Sequence, residues 1–444
     1  MIEAPTLNDG YTTATGHRPK ETPTGYKHTE VGVIPEDWEL SRIGGLARVL
    51  RGASPRPIDD PKWFDDESST GWLRIADVTA TDKYLNATCQ KLSQAGIANS
   101  RLVLSDSLVM SICATVGKPI ITRMNVCIHD GFVVFNNLQT EREYLYYVLS
   151  SLEPKWSKQG QTGSQMNLNT GIINSTPIPI PPPPEQLAIA EALSDVDKLL
   201  ESLDALIAKK RAIKRATTQQ LLTGETRLPG YGGEWRTIRL GDLGRWRGGM
   251  TPLTSVPHYW IGGTVPWLTS SDVRQGQLND SSENITKQAV KETGIPVIRS
   301  NSTIVVVRSG ILRRFLPVAN NSIPVAINQD LRALEPGPLH SPQYLVHALM
   351  GVEKYLLRDC LKAGTTVESI DSTWFQGFKL SMPTLDEQDA IAAVLSDMDT
   401  EISALKTRLK KICAIKDGMM EQLLTGRVRL VEQVCQPDNE QVAP

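Results

Sequence analysis

From Leu187 to Leu222 the chain contains neither Pro nor Gly, and its apolar residues Leu193, Val196, Leu200, Leu203 and Ile207 recur in alternating steps of three and four, with Leu221 in the same register. The stretch is rich in Ala, Leu, Lys and Gln, which are good helix formers, and it predicts one long helix of roughly 54 Å at about 1.5 Å per residue. A second stretch repeats the register at Leu395, Met398, Ile402, Leu405, Leu409 and Ile412, and carries it on to Met419 and Leu423. So narrow a stripe is a helix-helix seam rather than a broad core-facing surface. Each helix follows a proline signal, Pro177 to Pro184 in one case and Met382-Pro383-Thr384 in the other, and each ends at a Thr-Gly pair where Gly224 or Gly426 supplies a left-handed cap. Two helices with one seam are expected to pack antiparallel about a pseudo-two-fold axis. The alternative is that each packs on its own globular half.

Outside the helices the pattern changes. Short apolar runs such as Leu108-Val109-Met110, Phe132-Val133-Val134-Phe135 and Ile304-Val305-Val306-Val307 are broken by Gly, Asn, Ser and Pro, which reads as strands and turns. The expected fold class is α+β: two mixed α/β domains separated by two long antiparallel coiled-coil helices.

The chain is written twice. Laying Trp38 on Trp235 sets an offset of 197 that also brings Leu46 onto Leu243, Gly52 onto Gly249 and Pro55 onto Pro252. Trp72, Asp77 and Val78 then meet Trp267, Asp272 and Val273, and Ser105-Asp106-Ser107 meets Ser300-Asn301-Ser302. Between about residues 79 and 176 little is shared beyond Tyr144-Leu145 over Tyr344-Leu345 and Gly163 over Gly364. Similarity returns at Glu185-Gln186 over Glu387-Gln388 and runs without a gap to Gly224 over Gly426, with 19 identities in 40 positions. A duplication that diverged mainly in its middles predicts one part that keeps a single partner and another free to acquire two.

With 444 residues the chain has room for two or three domains. Its 47 Lys+Arg against 49 Asp+Glu leave a formal charge of -2, so any nucleic-acid binding must come from local basic surfaces. Six scattered cysteines form no Cys-x-x-Cys pair or Cys/His cluster at zinc spacing, so no metal site is expected. The polar, Thr-rich start and the lack of a long apolar run point to a cytoplasmic protein with no membrane contact.

Catalytic motifs are missing. There is no Asn/Asp-Pro-Pro-aromatic pocket for a flipped base, since Pro181 to Pro184 run into Glu185, and no Gly-rich cofactor or nucleotide loop. Glu153-Pro154-Lys155 matches part of a nuclease carboxylate and lysine set, but three residues match by chance. His129-Asp130 aligns with Asn328-Gln329, so its chemistry is not repeated and a polar turn between strands is the favoured reading.

Tyr26-Lys27 with Gly32 to Trp38, the Pro-x-x-x-Glu-Gln-x-x-Ile pattern at Pro181 to Ile189 and again at Pro383 to Ile391, and the Gln-Leu-Leu-Thr-Gly helix ends resemble the specificity subunits of type I restriction-modification systems. The likeness covers about residues 26 to 430. It implies a polar tail at 1–25, a target recognition domain at 26–184, a spacer helix at 185–224, a second recognition domain at 225–384, a second spacer helix at 385–426 and a C-terminal tail at 427–444. It further implies a non-catalytic reader of bipartite double-stranded DNA that docks two methyltransferase subunits and is joined by motor-nuclease subunits. Those partners would use S-adenosylmethionine, ATP and Mg, while this chain binds no cofactor. The rivals are a stand-alone DNA-modifying enzyme and a protein-only scaffold.

Phosphate contacts want Arg and Lys in loops, and base reading wants Arg on guanine and Asn or Gln on adenine. Candidates in the first half are Arg51, Arg56, Arg74, Lys118 and Arg123, with Gln161, Ser164 and Gln165 in the polar loop Gly160 to Asn169. In the second half they are Arg245, Arg247, Arg274, Arg308, Arg313, Arg314 and Thr365, Arg247 being favoured because flanking glycines allow close approach to a backbone. The basic clusters Lys209-Lys210-Arg211 and Lys410-Lys411 are expected to be solvated or partner-facing.

Overall fold

A computed structural model of the chain describes residues 22–159, 168–273, 276–362 and 367–430. Two compact units emerge: residues up to Glu201 together with those from Lys410 form the first, and Ser202–Leu409 form the second. The boundary therefore falls inside both long helices.

In the first unit a five-stranded sheet has the spatial order Arg48–Arg51, Phe132–Asn136, Leu108–Ser111, Pro119–Thr122, Tyr84–Leu85, antiparallel except for its last pair. A four-stranded sheet runs Gln90–Lys91, Gly71–Leu73, Val126–Ile128, Arg101–Val103. The strands Leu108–Ser111 and Pro119–Thr122 are buried at every position, which is why they read as continuous apolar runs rather than alternating ones. Alternation survives in where the side chains go: Leu108 and Met110 join a core with Trp38, Tyr144 and Tyr147, whereas Val109 joins another with Leu73, Val126 and Phe132.

The second unit repeats this plan strand for strand. Its larger sheet runs Trp246–Gly248, Leu331–Leu334, Thr303–Val306, Val318–Asn321, Gly276–Leu278, and its smaller one Glu283–Ile285, Val265–Leu268, Val325–Ile327, Val297–Ile298. Topology persists through the very stretch where sequence similarity fades. The helix Arg142–Gln159 of the first unit is replaced by two, Pro342–Gly351 and Glu353–Cys360.

The long helices are Pro183–Thr223 and Leu385–Leu424. The first starts earlier than its Pro-free stretch suggests because Pro183 and Pro184 occupy the opening turn, where a missing N–H costs nothing. Gly224 (φ 72°) and Gly426 (φ 69°) take the left-handed conformation beyond the helix ends. Leu193, Leu203, Ile207, Leu395 and Ile402 are buried, and Val196, Leu200, Met398, Leu405, Leu409 and Ile412 are half-buried. Interhelical ion pairs fix an antiparallel register: Asp197 with Lys416 at 2.6 Å in the first unit, and Lys210 with Glu401 at 2.6 Å and Lys214 with Asp399 in the second.

The helices pack on each other and also on the domains, but neither helix stays with its own half. Ile189, Ala190 and Leu193 lie with Leu423 and Leu424 inside the core of the first unit, and Ile391, Ala392 and Leu395 lie with Leu221 inside that of the second. At their ends the helices carry a wider apolar face than the seam, so each core takes the start of one helix and the end of the other.

A polar layer joins helix to domain. In the first unit the buried Lys83 donates to Glu143 (2.9 Å), Tyr147 (2.9 Å) and Ser194 (2.8 Å). Burial pushes the Glu143 carboxyl up, but hydrogen bonds from Tyr84, Lys83 and Ser194 outweigh it and hold the group down at about 2. The Tyr344 alignment puts His347 where the first unit has Tyr147. Burial, with Lys214 nearby, pushes the His347 imidazole down to about 4 despite Asp399. Because this folded value lies below the ordinary one, the stabilisation is complete above pH 6.5 and is lost as pH falls toward 4, about 2 kcal/mol being gone at pH 5. Thermal melts should therefore drop between pH 7 and 5, and His347→Gln should flatten that drop; an undiminished drop would rule His347 out as its source.

Candidate nucleic-acid interface

The repeated motifs turn out to be fasteners. Glu185, fully buried, accepts two hydrogen bonds from Arg429 (2.7 and 2.8 Å) and one from the Trp38 indole (2.9 Å). Its counterpart Glu387 accepts two from Arg227 (2.5 and 2.6 Å). Gln186 takes the Glu141 amide at 2.8 Å and donates to the Pro181 carbonyl at 2.9 Å, just as Gln388 takes the Ser341 amide at 2.9 Å and donates to Pro383 at 3.0 Å. Asp77 bridges the amides of Arg74 and Cys89, and Asp272 those of Thr269 and Ser282.

Gly52 and Gly249 are equally internal. A Cβ at Gly52 would sit 2.0 Å from the His129 carbonyl oxygen, and one at Gly249 would sit 1.7 Å from that of Ile327. The loop after each glycine thus lies hard against a turn between strands, His129–Gly131 or Asn328–Asp330.

Of the first-half candidates, Arg51 and Arg56 fall at this loop and are exposed. Arg51 donates to the Asp130 carbonyl at 2.6 Å. Arg74 lies elsewhere, exposed and hydrogen-bonded to Gln90 at 3.2 Å. Lys118 is half-buried with the Thr79 carbonyl at 3.3 Å, and Arg123 pairs with Asp106 while stacking 4.1 Å from the Tyr84 ring. Gln161, Ser164 and Gln165 lie outside the described residues.

In the second half Arg245, Arg308 and Arg314 are exposed. Arg313 is ion-paired with Glu368. Arg247 is half-buried and paired with Glu335 at 3.0 Å. Beside Arg247, a Cβ at the exposed Gly248 would meet the Arg332 guanidinium and one at Gly249 the Ile327 carbonyl. Arg274 and Thr365 lie outside the described residues. Sequence reasoning missed Arg101, which donates to the Arg51 carbonyl, and Arg332; their places depend on strand pairing that no local signal carries.

Two scaffolds of one topology, fastened by the same residues and differing in what their loops display, define a duplicated recognition protein. The family described as the type I restriction modification DNA specificity domain matches residues 35–209 and 232–414, and this chain belongs to it. It is 30% identical over 287 residues to the EcoR124I/EcoR124II specificity subunit of Escherichia coli, covering 64% of this chain and 69% of that one. It is 25% identical over 442 residues to the putative MjaX specificity subunit of Methanocaldococcus jannaschii, covering 91% and 97%. The fold matches the crystal structure of the type I S subunit from M. genitalium with a TM-score of 0.56 at 15% identity, over 87% of this chain and 96% of that one. Among the described residues no helix is long and apolar enough to cross a membrane.

Proposed function

We propose that this chain is the DNA-recognition subunit of a type I restriction-modification complex, and that residues 26–184 and 225–384 each read one half of a bipartite site in double-stranded DNA. The observation that carries this reading is the strand-for-strand repetition of one scaffold beneath loops of different chemistry. The long helices set the distance between the half-sites and dock two copies of a methyltransferase subunit; motor-nuclease subunits join that assembly. Catalysis, with S-adenosylmethionine, ATP and Mg, belongs to the partners.

Exposed positions of the helices support a partner bound twice. Most differ between the copies, but Asp195, Lys209, Ala212 and Ile213 recur as Asp397, Lys411, Ala414 and Ile415, exposed in both. Ile213 and Ile415 are 42% and 51% exposed, unusual for a large apolar side chain kept through a duplication. Ile213→Glu or Ile415→Glu should each reduce the bound methyltransferase from two copies to one in native mass spectrometry, and the double variant should bind none. Unchanged stoichiometry in the double variant would move the docking surface elsewhere.

Mapping methylated adenines in cells that express the chain with its methyltransferase partner tests the whole reading. A split motif is expected. Turnover by the purified chain alone would favour a stand-alone enzyme, and the absence of any motif would favour a protein scaffold.

A further inference from the structure

The turn apexes Asp130 and Gln329 are held by matching contacts that differ in their atoms. Behind each apex a side chain accepts from the backbone two residues on: His129 Nδ1 from the Gly131 amide at 2.9 Å, and Asn328 Oδ1 from the Asp330 amide at 3.0 Å. Beside each, a hydroxyl from the glycine loop donates to the apex side chain, Ser54 to Asp130 Oδ1 at 3.3 Å and Thr251 to Gln329 Oε1 at 2.7 Å. An arginine grips each apex carbonyl. In the first unit it is Arg51, at 2.6 Å; in the second it is Arg332, at 3.3 Å. Arg332 comes from a different strand, yet its guanidinium lies over Gly248, the residue that the 197 offset places on Arg51. A Cβ there would be 2.9 Å from Arg332 Nη1.

The frame is thus kept while the displayed group has changed from a carboxylate to an amide. Both apexes are exposed; the hydroxyls of Ser54 and Thr251 take Asp130 Oδ1 and Gln329 Oε1, while Asp130 Oδ2 lies 4.0 Å from the Arg51 guanidinium, beyond hydrogen-bond range, and the frame's bonds leave the Gln329 amide nitrogen unused. We infer that Asp130 and Gln329 are the specificity-determining base readers of the two domains. Asp130 accepts from a cytosine exocyclic amine in one half-site, and Gln329 forms a paired contact with an adenine edge in the other. This inference rests on the bipartite DNA reading proposed above.

The test is the methylated motif of cells carrying Asp130→Asn or Gln329→Glu with the methyltransferase partner. Both substitutions keep an oxygen for the Ser54 or Thr251 hydroxyl, so the turn stays framed. Each variant is expected to lose discrimination about tenfold or more at one position of one half-site, leaving the other half-site and the gap unchanged. A motif identical to wild type in both variants would overturn the inference while leaving the bipartite reading intact. A folded variant that loses both half-sites together would also overturn it. A wild-type motif that is not split would instead defeat the underlying reading, and is seen before any variant is made.

Discussion

Glu185→Ala lowers the stability of the first unit by about 3–5 kcal/mol, the usual cost of deleting one member of a buried ion pair. The carboxylate is fully buried and takes hydrogen bonds from both Arg429 and the Trp38 indole, with the Leu430 amide at 3.3 Å. Its removal leaves the Trp38 N–H buried and unmet and leaves Arg429 leaning on Asp37 alone. The bond to Glu185 is the main force pushing the Arg429 guanidinium above its ordinary range. Asp37→Ala should cost under about 1 kcal/mol, since that carboxylate is half exposed. Denaturant titration of the two variants checks the contrast, and equal losses would mean that Glu185 is not the fastening group.

Gly249→Ala has the other large effect, a loss of about 3 kcal/mol or more. An added methyl carbon 1.7 Å from the Ile327 carbonyl oxygen meets backbone rather than a side chain that can turn away. The Met250 amide bond to that same carbonyl, at 3.0 Å, must break to make room. Gly45→Ala is the control, because its nearest neighbour would be the Ser41 hydroxyl at 3.6 Å. Calorimetry should show a drop for Gly249→Ala and almost none for Gly45→Ala. A matching response in the two would refute the close-approach argument.

The helices were legible in the sequence because seam, proline lead-in and glycine cap are all local signals. So was the duplication, since Trp38, Gly52 and the Glu-Gln pairs recur at fixed offsets. In the middles the strands were legible as short apolar runs, but their pairing was not: Leu108–Ser111 and its neighbours are buried on both faces, which erases the two-residue alternation that would tell one face of a sheet from the other. The recognition surface was harder still. Ser54 meets Asp130 across 76 residues and Arg247 meets Glu335 across 88, so whether an arginine is displayed or internally paired depends on long-range register. Glu185-Gln186 and Glu387-Gln388 stood out as motif residues, but their work as fasteners appeared only with Arg429 and Arg227 in place.

The Tyr26 hydroxyl donates to the Gly426 carbonyl at 3.0 Å, and Arg429 reaches Asp37. The segment around Tyr26 and Asp37 is therefore completed by residues about 400 positions further along the chain. During vectorial synthesis the contiguous stretch Ser202–Leu409 can close its core while the ribosome is still working, whereas the amino-terminal unit must wait with its Trp38 pocket open until residues 410–430 emerge. The half translated first is the half that matures last, and a nascent chain stalled before Lys410 would expose that unfinished pocket to chaperones and proteases.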